Sequence, residues 1–488
     1  MTEFLCGIEE RRRQVSLSLD PVRQAERSQF FTPVSVAQHM ASLLSSAEPH
    51  ASLLDAGAGV GILFAAVVEA LCLRCAPPKR ITILACEADP ILCNFARQTL
   101  EDCCRLAETF GIACTGEIIC GDFLSLAARL IQPNLLDCSK SLEIRPNIAI
   151  LNPPYRKITS NSQERQTLRR LGIETTNLYT GFVATALRLL VPCGELVAIT
   201  PRSFCNGSYF RSFREDLLQR AALTHLHLFQ SRTDTFRESA VLQETLIFRT
   251  QTATVQPDQV AVAHLKDLTS RAESRGVDFS QIVKPDDIQR YFHIPDETAG
   301  KGLKFQMPLC EIGLQVSTGR VVDFRAAEFL RACPDFTTAP LIYPIHCQEA
   351  TVCWPKLEAK KPNGLVANAA TKNLRVPNGN YVLVKRFSAK EQKRRIMAFV
   401  YESARFPKAD KAGVGFENHL NYFHKNGDGM QLALAYGLAA YLNSEEVDYY
   451  FRQFSGHTQV NATDLKNLYY PSYDELIVMG QRQRDDSA

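Results

Sequence analysis

A short apolar segment, a glycine-rich turn and an apolar helix follow one another near the start of this chain. The segment reads Leu53-Leu54-Asp55-Ala56-Gly57-Ala58-Gly59-Val60-Gly61, and the helix is predicted to begin at Ile62. A strand that enters a helix through such a turn is typical of nucleotide-binding α/β folds. The glycine spacing differs from the Gly-x-Gly-x-x-Gly of dinucleotide sites. Since Asp55 would repel a pyrophosphate but could bind an ammonium, the segment predicts a cofactor with an amino-acid end, such as S-adenosylmethionine.

Two further predicted strands also end in acidic residues. Ile81–Cys86 leads to Glu87, and a strand over 116–120 leads to Gly121-Asp122-Phe123. The carboxyl ends of parallel strands form the ligand-binding edge of an open α/β sheet. We therefore expect Glu87 to accept hydrogen bonds from both ribose hydroxyls of the cofactor. Asp122 would accept one from its adenine amine, and Phe123 would pack on the adenine ring.

A fourth apolar strand, Ile148–Leu151, is followed by Asn152-Pro153-Pro154-Tyr155. The two prolines fix φ and remove two backbone donors, so the loop is stiff. The side-chain oxygen of Asn152 and the carbonyl of Pro153 are predicted to accept both hydrogens of an adenine amine, while Tyr155 stacks on the base. These contacts would free the nitrogen lone pair for in-line attack on a methyl sulfonium by positioning and electrostatics. A turn that merely ends a strand is the alternative.

Strands and helices continue to alternate up to residue 250. Further strands are predicted over 195–200, 224–229 and 242–249, with helices between them. The alternation predicts an α/β domain over 1–250 with a doubly wound, mostly parallel sheet. Phe236, between the last two strands, could close the other face of a flipped base, although a packing role suits it equally well.

The remainder of the 488-residue chain has a different character. The segment 251–300 is polar and irregular and is predicted to be a linker, and 301–488 to be a separate C-terminal domain of mixed structure. Eight Lys or Arg residues lie between 385 and 408, with Phe387 and Phe399 among them. Such a stretch could line a phosphate backbone, or it could be a solvated helix face.

Amide side chains in the C-terminal domain are of the kind that read adenine edges. The net charge of +3 permits a locally basic groove without requiring one. The candidate DNA-binding residues are Lys385, Arg386, Lys393, Arg394, Arg395, Asn418, His419, Asn421, Gln459 and Asn461.

The sixteen cysteines are scattered, and the Cys72-x-x-Cys75 pair has no second pair near it. This arrangement favours core thiols in a reducing compartment over a zinc site, and no metal is predicted. The N-terminus lacks the pattern of a signal peptide, and no apolar run approaches the ~18 residues of a membrane span. We therefore expect a cytoplasmic protein without a membrane partner.

The order of these motifs resembles the γ-class adenine-specific DNA methyltransferases of restriction–modification systems. Phe30-Phe31-Thr32-Pro33 comes first, then the glycine-rich turn, the strand-end acids and Asn-Pro-Pro-Tyr. In that class the target-recognition domain comes last. Four segments of the tail are similar to the PstI/BsuBI-like branch of the class, namely 316–325, 385–391, 414–421 and 454–465.

The resemblance implies a class I S-adenosylmethionine-dependent methyltransferase fold with a C-terminal target-recognition domain. It implies base flipping and methylation of adenine N6 in duplex DNA at CTGCAG, as the modification part of a restriction–modification system. We expect a monomer on DNA, and the sequence leaves open whether an endonuclease of the same specificity accompanies it or the enzyme is solitary. The alternatives are an RNA or protein-glutamine methyltransferase and a catalytically silent DNA-binding protein. By resemblance, the target adenine is held by Asn152, Pro153, Pro154, Tyr155 and Phe236. S-adenosylmethionine is held by Thr32, Asp55, Ala56, Gly57, Gly59, Glu87, Ala88, Asp122 and Phe123.

Overall fold

The structure, a computed structural model, describes residues 2–18, 31–132, 145–229, 244–265, 273–295, 303–305, 307–388, 392–455 and 458–485. The chain divides into two compact units, Met1–Glu297 and Thr298–Ala488. Phe236 lies outside the described residues. Among those described, no helix combines the length and the apolar composition that a membrane crossing requires.

The first unit alternates strands and helices, as the sequence predicts. Its strands are β1 (His50–Ala56), β2 (Arg80–Glu87), β3 (Ala113–Cys120), β4 (Ile148–Leu151), β5 (Glu195–Pro201), β6 (Ala221–Phe229), β7 (Thr245–Thr252), β8 (Gln259–Leu265) and β9 (Arg275–Asp278). Its described helices are α1 (Glu3–Ser18), α2 (Val34–Ser42), α3 (Ile62–Cys72), α4 (Pro90–Thr109), α5 (Phe123–Ile131), α6 (Gln163–Arg170), α7 (Leu178–Leu189), α8 (Arg211–Arg220) and α9 (Phe279–Ile282).

These strands form one sheet in the order β3-β2-β1-β4-β5-β7-β6-β8-β9. The pairs from β3 to β5 are parallel, whereas β7 lies antiparallel between β5 and β6. Neighbouring residues of β1 belong to different apolar cores, since Leu54 packs in one cluster and Leu53 in another. Because successive side chains of a strand face opposite sides, the sheet is covered on both faces. The predicted doubly wound, mostly parallel sheet is confirmed.

The linker predicted over 251–300 is wrong. β7 extends to Thr252, β8 pairs in parallel with β6, and β9 pairs with β8. Phe292 is fully buried, and its backbone N–H donates to the carbonyl of Cys205 at 2.9 Å. The polar composition of the segment hides the strand, because exposed Gln259 and half-buried Ala261 and His264 lie among its buried apolar residues.

The second unit contains short strands and helices without a βα rhythm. The strands are β10 (Met307–Pro308), β11 (Gln315–Thr318), β12 (Leu330–Arg331), β13 (Thr338–Ile342), β14 (Cys347–Gln348), β15 (Thr351–Val352), β16 (Gly364–Val366), β17 (Arg375–Val376), β18 (Tyr381–Lys385), β19 (Ala398–Tyr401), β20 (Val414–Phe416), β21 (Leu420–His424) and β22 (Tyr469–Tyr470). They form sheets with the orders β11-β21-β18-β19-β15-β14, β12-β16-β13-β20-β17 and β10-β22.

Helices complete the second unit. Those described are α10 (Asp323–Ala326), α11 (Ala409–Ala412), α12 (Leu432–Leu442), α13 (Glu445–Phe454), α14 (Ala462–Lys466) and α15 (Tyr473–Asp485). Helices α12 and α15 approach so closely that a Cβ added to Gly437 would lie 1.8 Å from the carbonyl oxygen of Leu476. Only glycine, which has no Cβ, permits this backbone contact.

Candidate active site

The strand register brings the predicted motifs to one edge of the sheet. Asp55, near the end of β1, is level with Ala85 on β2 and Ile150 on β4. Glu87 at the end of β2 is level with Cys120 at the end of β3. The glycine turn, Glu87, the Gly-Asp-Phe segment and the Asn-Pro-Pro-Tyr loop therefore all follow the same ends of adjacent parallel strands.

Asp55 is fully buried behind the glycine turn. Its Oδ2 accepts a hydrogen bond from the backbone N–H of Phe64 at 3.3 Å, whereas its buried Oδ1 has no partner among the described residues. Burial raises the pKa of Asp55 to about 8, and the nearby Glu87 adds to this, while the Phe64 N–H opposes it. A cationic ligand group at Oδ1 would stabilise the carboxylate. The unpaired oxygen therefore fits the ammonium of S-adenosylmethionine.

The glycine turn is tight and has left-handed backbone angles. The φ values of Gly57, Gly59 and Gly61 are +84°, +58° and +92°, which residues other than glycine rarely adopt. The N–H of Gly57 donates to the carbonyl of Cys86 at 2.8 Å, so the turn is fixed to the end of β2.

Glu87 supports the same turn with its side chain. Its Oε2 accepts from the N–H of Gly59 at 2.8 Å, and its Oε1 accepts from the N–H of Asp89 at 2.9 Å. Burial raises the pKa of Glu87 above its ordinary value. Each carboxylate oxygen has a second acceptor position, so ribose hydroxyls can still bind there. Ala88 follows as an exposed residue.

In the Gly121-Asp122-Phe123 segment, the acidic side chain is exposed and the aromatic ring is buried. Asp122 is exposed and accepts from the N–H of Ser125 at 2.8 Å as the N-cap of α5. Phe123 is buried, and its ring centroid lies 5.0 Å from that of Phe182 on α7. Sequence reasoning missed Phe182, which also approaches Gly57, because it resembles any apolar residue of a core helix.

The carboxamide of Asn152 is held from both sides. Its Nδ2 donates to Thr32 Oγ1 at 2.9 Å, and its Oδ1 accepts from the hydroxyl of Tyr155 at 2.9 Å. The same hydroxyl lies 3.2 Å from the carbonyl oxygen of Ile199 on β5. Because an amide oxygen accepts two hydrogen bonds, Oδ1 can also accept from a substrate amine. Thr32 was predicted to contact the cofactor, and in the structure its hydroxyl accepts from the Asn-Pro-Pro-Tyr loop.

Further groups support the ring of Tyr155. Pro153 is buried and Pro154 half-buried. The centroids of Tyr155 and Tyr179 are 6.2 Å apart in an edge-on arrangement, and the Tyr179 hydroxyl is 2.8 Å from Ser203 Oγ. Burial raises the pKa of Tyr155 well above its ordinary value, so its hydroxyl keeps its proton and donates it. Neither Tyr179 nor Ser203 carries a signal in the sequence that would have identified it.

Arg395 does not lie where a DNA contact requires it. It is 1% exposed, its Nε donates to Ser388 Oγ at 3.1 Å, and its guanidinium carbon lies 5.7 Å from the ring centroid of Phe451. Its backbone N–H donates to Asp448 Oδ1 at 2.5 Å. The prediction that Arg395 contacts a phosphate is therefore wrong, because the side chain is enclosed in the second unit.

Asn421 is also enclosed, at 0% exposed. Its Nδ2 donates to the carbonyl of Val460 at 2.8 Å, and its Oδ1 accepts from Thr318 Oγ1 at 3.0 Å. The prediction that it reads a base is wrong for the same reason. Asn461 precedes α14, where its backbone N–H and its Nδ2 donate to Asp464 Oδ2 at 2.9 and 3.1 Å.

The other candidates in the second unit retain accessible surface. Lys393 and His419 are exposed, and the remaining candidates are half-buried. Lys385 Nζ lies 4.9 Å from the ring centroid of Phe399. Arg386 Nη1 donates to the carbonyl of Asn418 at 2.8 Å. Contacts from Gln459, Arg394 and these residues to DNA remain predictions.

Comparisons with known proteins agree with this geometry. Residues 147–236, which include the Asn-Pro-Pro-Tyr loop, match the family model of the Eco57I restriction-modification methylase. The chain is 42% identical to type II methyltransferase M.BsuBI of Bacillus subtilis over 99% of this chain and 94% of that protein. It is 41% identical to type II methyltransferase M.PstI of Providencia stuartii over 95% of this chain and 91% of that protein.

A solved structure shows the same fold at low sequence identity. A DrdV–DNA complex has a TM-score of 0.56 at 12% identity, over 98% of this chain and 59% of that one. Together, these similarities confirm the predicted methyltransferase activity, the methyl donor S-adenosylmethionine and the resemblance to the PstI/BsuBI-like branch. The chain belongs to the type II methyltransferases of restriction–modification systems.

Proposed function

We propose that this methyltransferase transfers a methyl group to N6 of adenine within a specific sequence of duplex DNA. The observation that carries the proposal is the carboxamide of Asn152, whose oxygen is held as an acceptor by Thr32 and Tyr155. A fixed acceptor beside a buried proline suits a substrate that presents an amino group on a flat ring. Adenine flipped out of the duplex is such a substrate.

The residues of the loop would act on the amine by position and charge. Asn152 Oδ1 and the Pro153 carbonyl accept its two hydrogens, which draws the nitrogen lone pair out of conjugation with the ring. Tyr155 stacks on the base and limits its tilt. Such preorganised acceptors strengthen their contacts as positive charge develops on the nitrogen. No base in the loop is assigned to the released proton, which passes to water after transfer.

On the cofactor side, S-adenosylmethionine supplies an electrophilic methyl group on a sulfonium. Asp55 would bind the ammonium through its unpaired Oδ1, and Glu87 would bind the ribose. Glu87 also braces the glycine turn through Gly59, so ribose binding and the shape of the turn are coupled. Asp122 and Phe123 would border the adenine of the cofactor. Phe236 would close the far face of the flipped base.

The second unit would supply sequence recognition. M.BsuBI and M.PstI are type II methyltransferases by name, and the resemblance to their branch implies CTGCAG as the target. The DNA-bound DrdV structure shares the fold, which supports duplex DNA as the partner. We assign the chain to the modification half of a restriction–modification pair, acting as a monomer on DNA beside an endonuclease of the same specificity.

A transfer assay with labelled methyl groups tests the proposal. The enzyme is incubated with a duplex that contains CTGCAG and with a scrambled duplex, and the products are digested to nucleosides. N6-methyladenine from the first duplex alone is the expected result. Label in both duplexes would keep the chemistry and reject the target sequence. Absence of label from both, with transfer to RNA or to a protein glutamine, would overturn the proposal.

A further inference from the structure

Three separate segments of the second unit meet at one surface. The backbone N–H of Arg386 donates to the carbonyl of His419 at 2.9 Å, and that of Val460 donates to the carbonyl of Arg386 at 2.7 Å. A bridge pairs Phe387 with Gln459. These backbone contacts hold Phe387, His419 and Gln459 together, and we call these three residues the 387–419–459 surface.

The imidazole of His419 is oriented by a buried carboxylate. Its Nδ1 lies 2.5 Å from Glu417 Oε1, and its backbone N–H donates to Glu417 Oε2 at 2.9 Å. Glu417 is buried, whereas the side chain of His419 is 48% exposed. Since Nδ1 faces the carboxylate, a neutral ring would carry its proton on Nδ1 and would have Nε2 as an acceptor. The buried acid thus sets the direction of an exposed ring.

An exposed aromatic ring lies beside this histidine. Phe387 is 45% exposed, and its centroid is 5.1 Å from that of His419. A single exposed apolar residue is ordinary. An apolar ring next to an oriented polar acceptor is more specific, because it offers two different contacts to one partner.

Basic residues border the surface. Lys385 and Arg386 directly precede Phe387. The segment with Lys393 and Arg394 is tied to it, because the next residue, Arg395, donates to Ser388 Oγ at 3.1 Å. Cations around an acceptor and an aromatic ring match a groove of DNA, where phosphates flank the base edges.

We infer that His419 and Phe387 read one A·T pair in the major groove. An A·T pair presents there the N6 amine of adenine, a donor, and the C5-methyl group of thymine. His419 Nε2 accepts from the amine, and the ring of Phe387 contacts the methyl group. Glu417 is a positioning residue that acts through His419. The inference rests on the proposed function, since it requires duplex DNA as the substrate.

Binding of His419→Ala to single-substitution duplexes tests the first contact. The recognised sequence is established for the wild type by mapping methylated adenines, and affinities are then measured for every duplex that differs from it by one base pair. His419→Ala should lose about tenfold of discrimination at one A·T position and keep it at the others. Equal losses at all positions, or full discrimination everywhere, would overturn the inference.

Replacing thymine by uracil tests the second contact, because only the methyl group is removed. The wild type should bind the uracil duplex several-fold more weakly when the substitution is at the position that His419→Ala relaxes. Phe387→Ala should bind both duplexes equally. Phe336→Ala is the matched control, since Phe336 is 97% exposed in the same unit, and it should retain the wild-type response. An unchanged response in Phe387→Ala would contradict the assignment.

The variant Glu417→Gln distinguishes a role of Glu417 in positioning His419 from a role in the stability of the fold. It should relax the same single position as His419→Ala, whereas a purely structural role would lower thermal stability without favouring any position. The proposed function itself is contradicted if the wild type makes no N6-methyladenine in any duplex. If the wild type is sequence-specific and His419→Ala keeps all of that specificity, only the assignment of His419 and Phe387 as base-reading residues is contradicted.

Discussion

Thr32 and Tyr155 contact the carboxamide of Asn152 from opposite ends. The sequence predicts that Asn-Pro-Pro-Tyr follows a buried apolar strand, and the structure has that strand at Ile148–Leu151. It did not indicate the two partners in these roles. Thr32 lies 120 residues away from Asn152, and a hydrogen bond over such a separation depends on how the sheet places its neighbouring segments.

Removing the carboxamide should separate catalysis from cofactor binding. Asn152→Ala should lower the single-turnover methylation rate at least about a hundredfold, the usual loss when one preorganised transition-state interaction is deleted. Its affinity for S-adenosylmethionine should change little, since Asp55 and Glu87 remain. Rapid-quench methyl transfer and calorimetric cofactor titration measure the two quantities. A rate close to that of the wild type would remove Asn152 from the mechanism.

Cofactor affinity should rise with pH because Asp55 must lose its proton. Burial raises its pKa to about 8, so below that pH the carboxyl is largely protonated, and binding of an ammonium releases the proton. The affinity for S-adenosylhomocysteine should therefore rise by up to about tenfold per pH unit. Titrations from about pH 5.5 to 7.5 stay below the pKa of an α-amino group, so the ammonium of the ligand keeps its charge and only Asp55 changes. Asp55→Asn should bind weakly and lose most of this slope, and an unchanged slope would contradict the assignment.

At the level of elements, the turn between β1 and α3 depends on Gly61. A Cβ there would lie 2.4 Å from the buried ring of Phe64, at a φ of +92°. Gly111 has a φ of +71° but nothing within 4 Å of its added Cβ, so it is a matched control for backbone strain alone. Gly111→Ala should cost about 1 kcal/mol, and Gly61→Ala a further 1–3 kcal/mol or so from overpacking. Urea unfolding measures both, and equal losses would show that the turn relaxes freely.

The elements of the first unit could largely be predicted, because apolar runs and terminal acids identify β1 to β5 directly. The end of that unit could not. β8 has exposed Gln259 and half-buried Ala261 and His264 among its apolar residues, and its place in the sheet depends on parallel pairing with β6. The average polarity of residues 251–300 is therefore typical of a linker, although the segment contains strands.

Basic residues of the second unit illustrate the same limit. Lys393, Arg394 and Arg395 are adjacent and chemically similar, yet one is exposed, one half-buried and one enclosed. What distinguishes Arg395 is its contacts with Ser388, seven residues away, and with the ring of Phe451 on a later helix. Charge spacing predicts a basic stretch but not which of its members faces solvent.

At the level of the whole molecule, a net charge of +3 leaves DNA affinity dependent on a few local cations. Lys393→Gln with Arg394→Gln should weaken DNA binding and flatten its salt dependence by about one unit of slope for each phosphate that is no longer bound. Lys372→Gln with Lys411→Gln removes the same charge from exposed positions of the same unit, and should leave the slope nearly unchanged. Fluorescence anisotropy over a range of salt concentrations measures it. Equal slopes in the two variants would assign the effect to net charge alone.

The hydrogen bonds at both ends of the Asn152 carboxamide have a consequence for damaged DNA. With Thr32 accepting from its N–H and Tyr155 donating to its oxygen, the carboxamide presents an acceptor to the base. Deamination converts adenine to hypoxanthine, which carries a carbonyl where adenine has an amine. At that point two oxygens would face each other with no hydrogen between them. We therefore expect the loop to hold the deaminated base poorly, and that base has no amine left to take a methyl group.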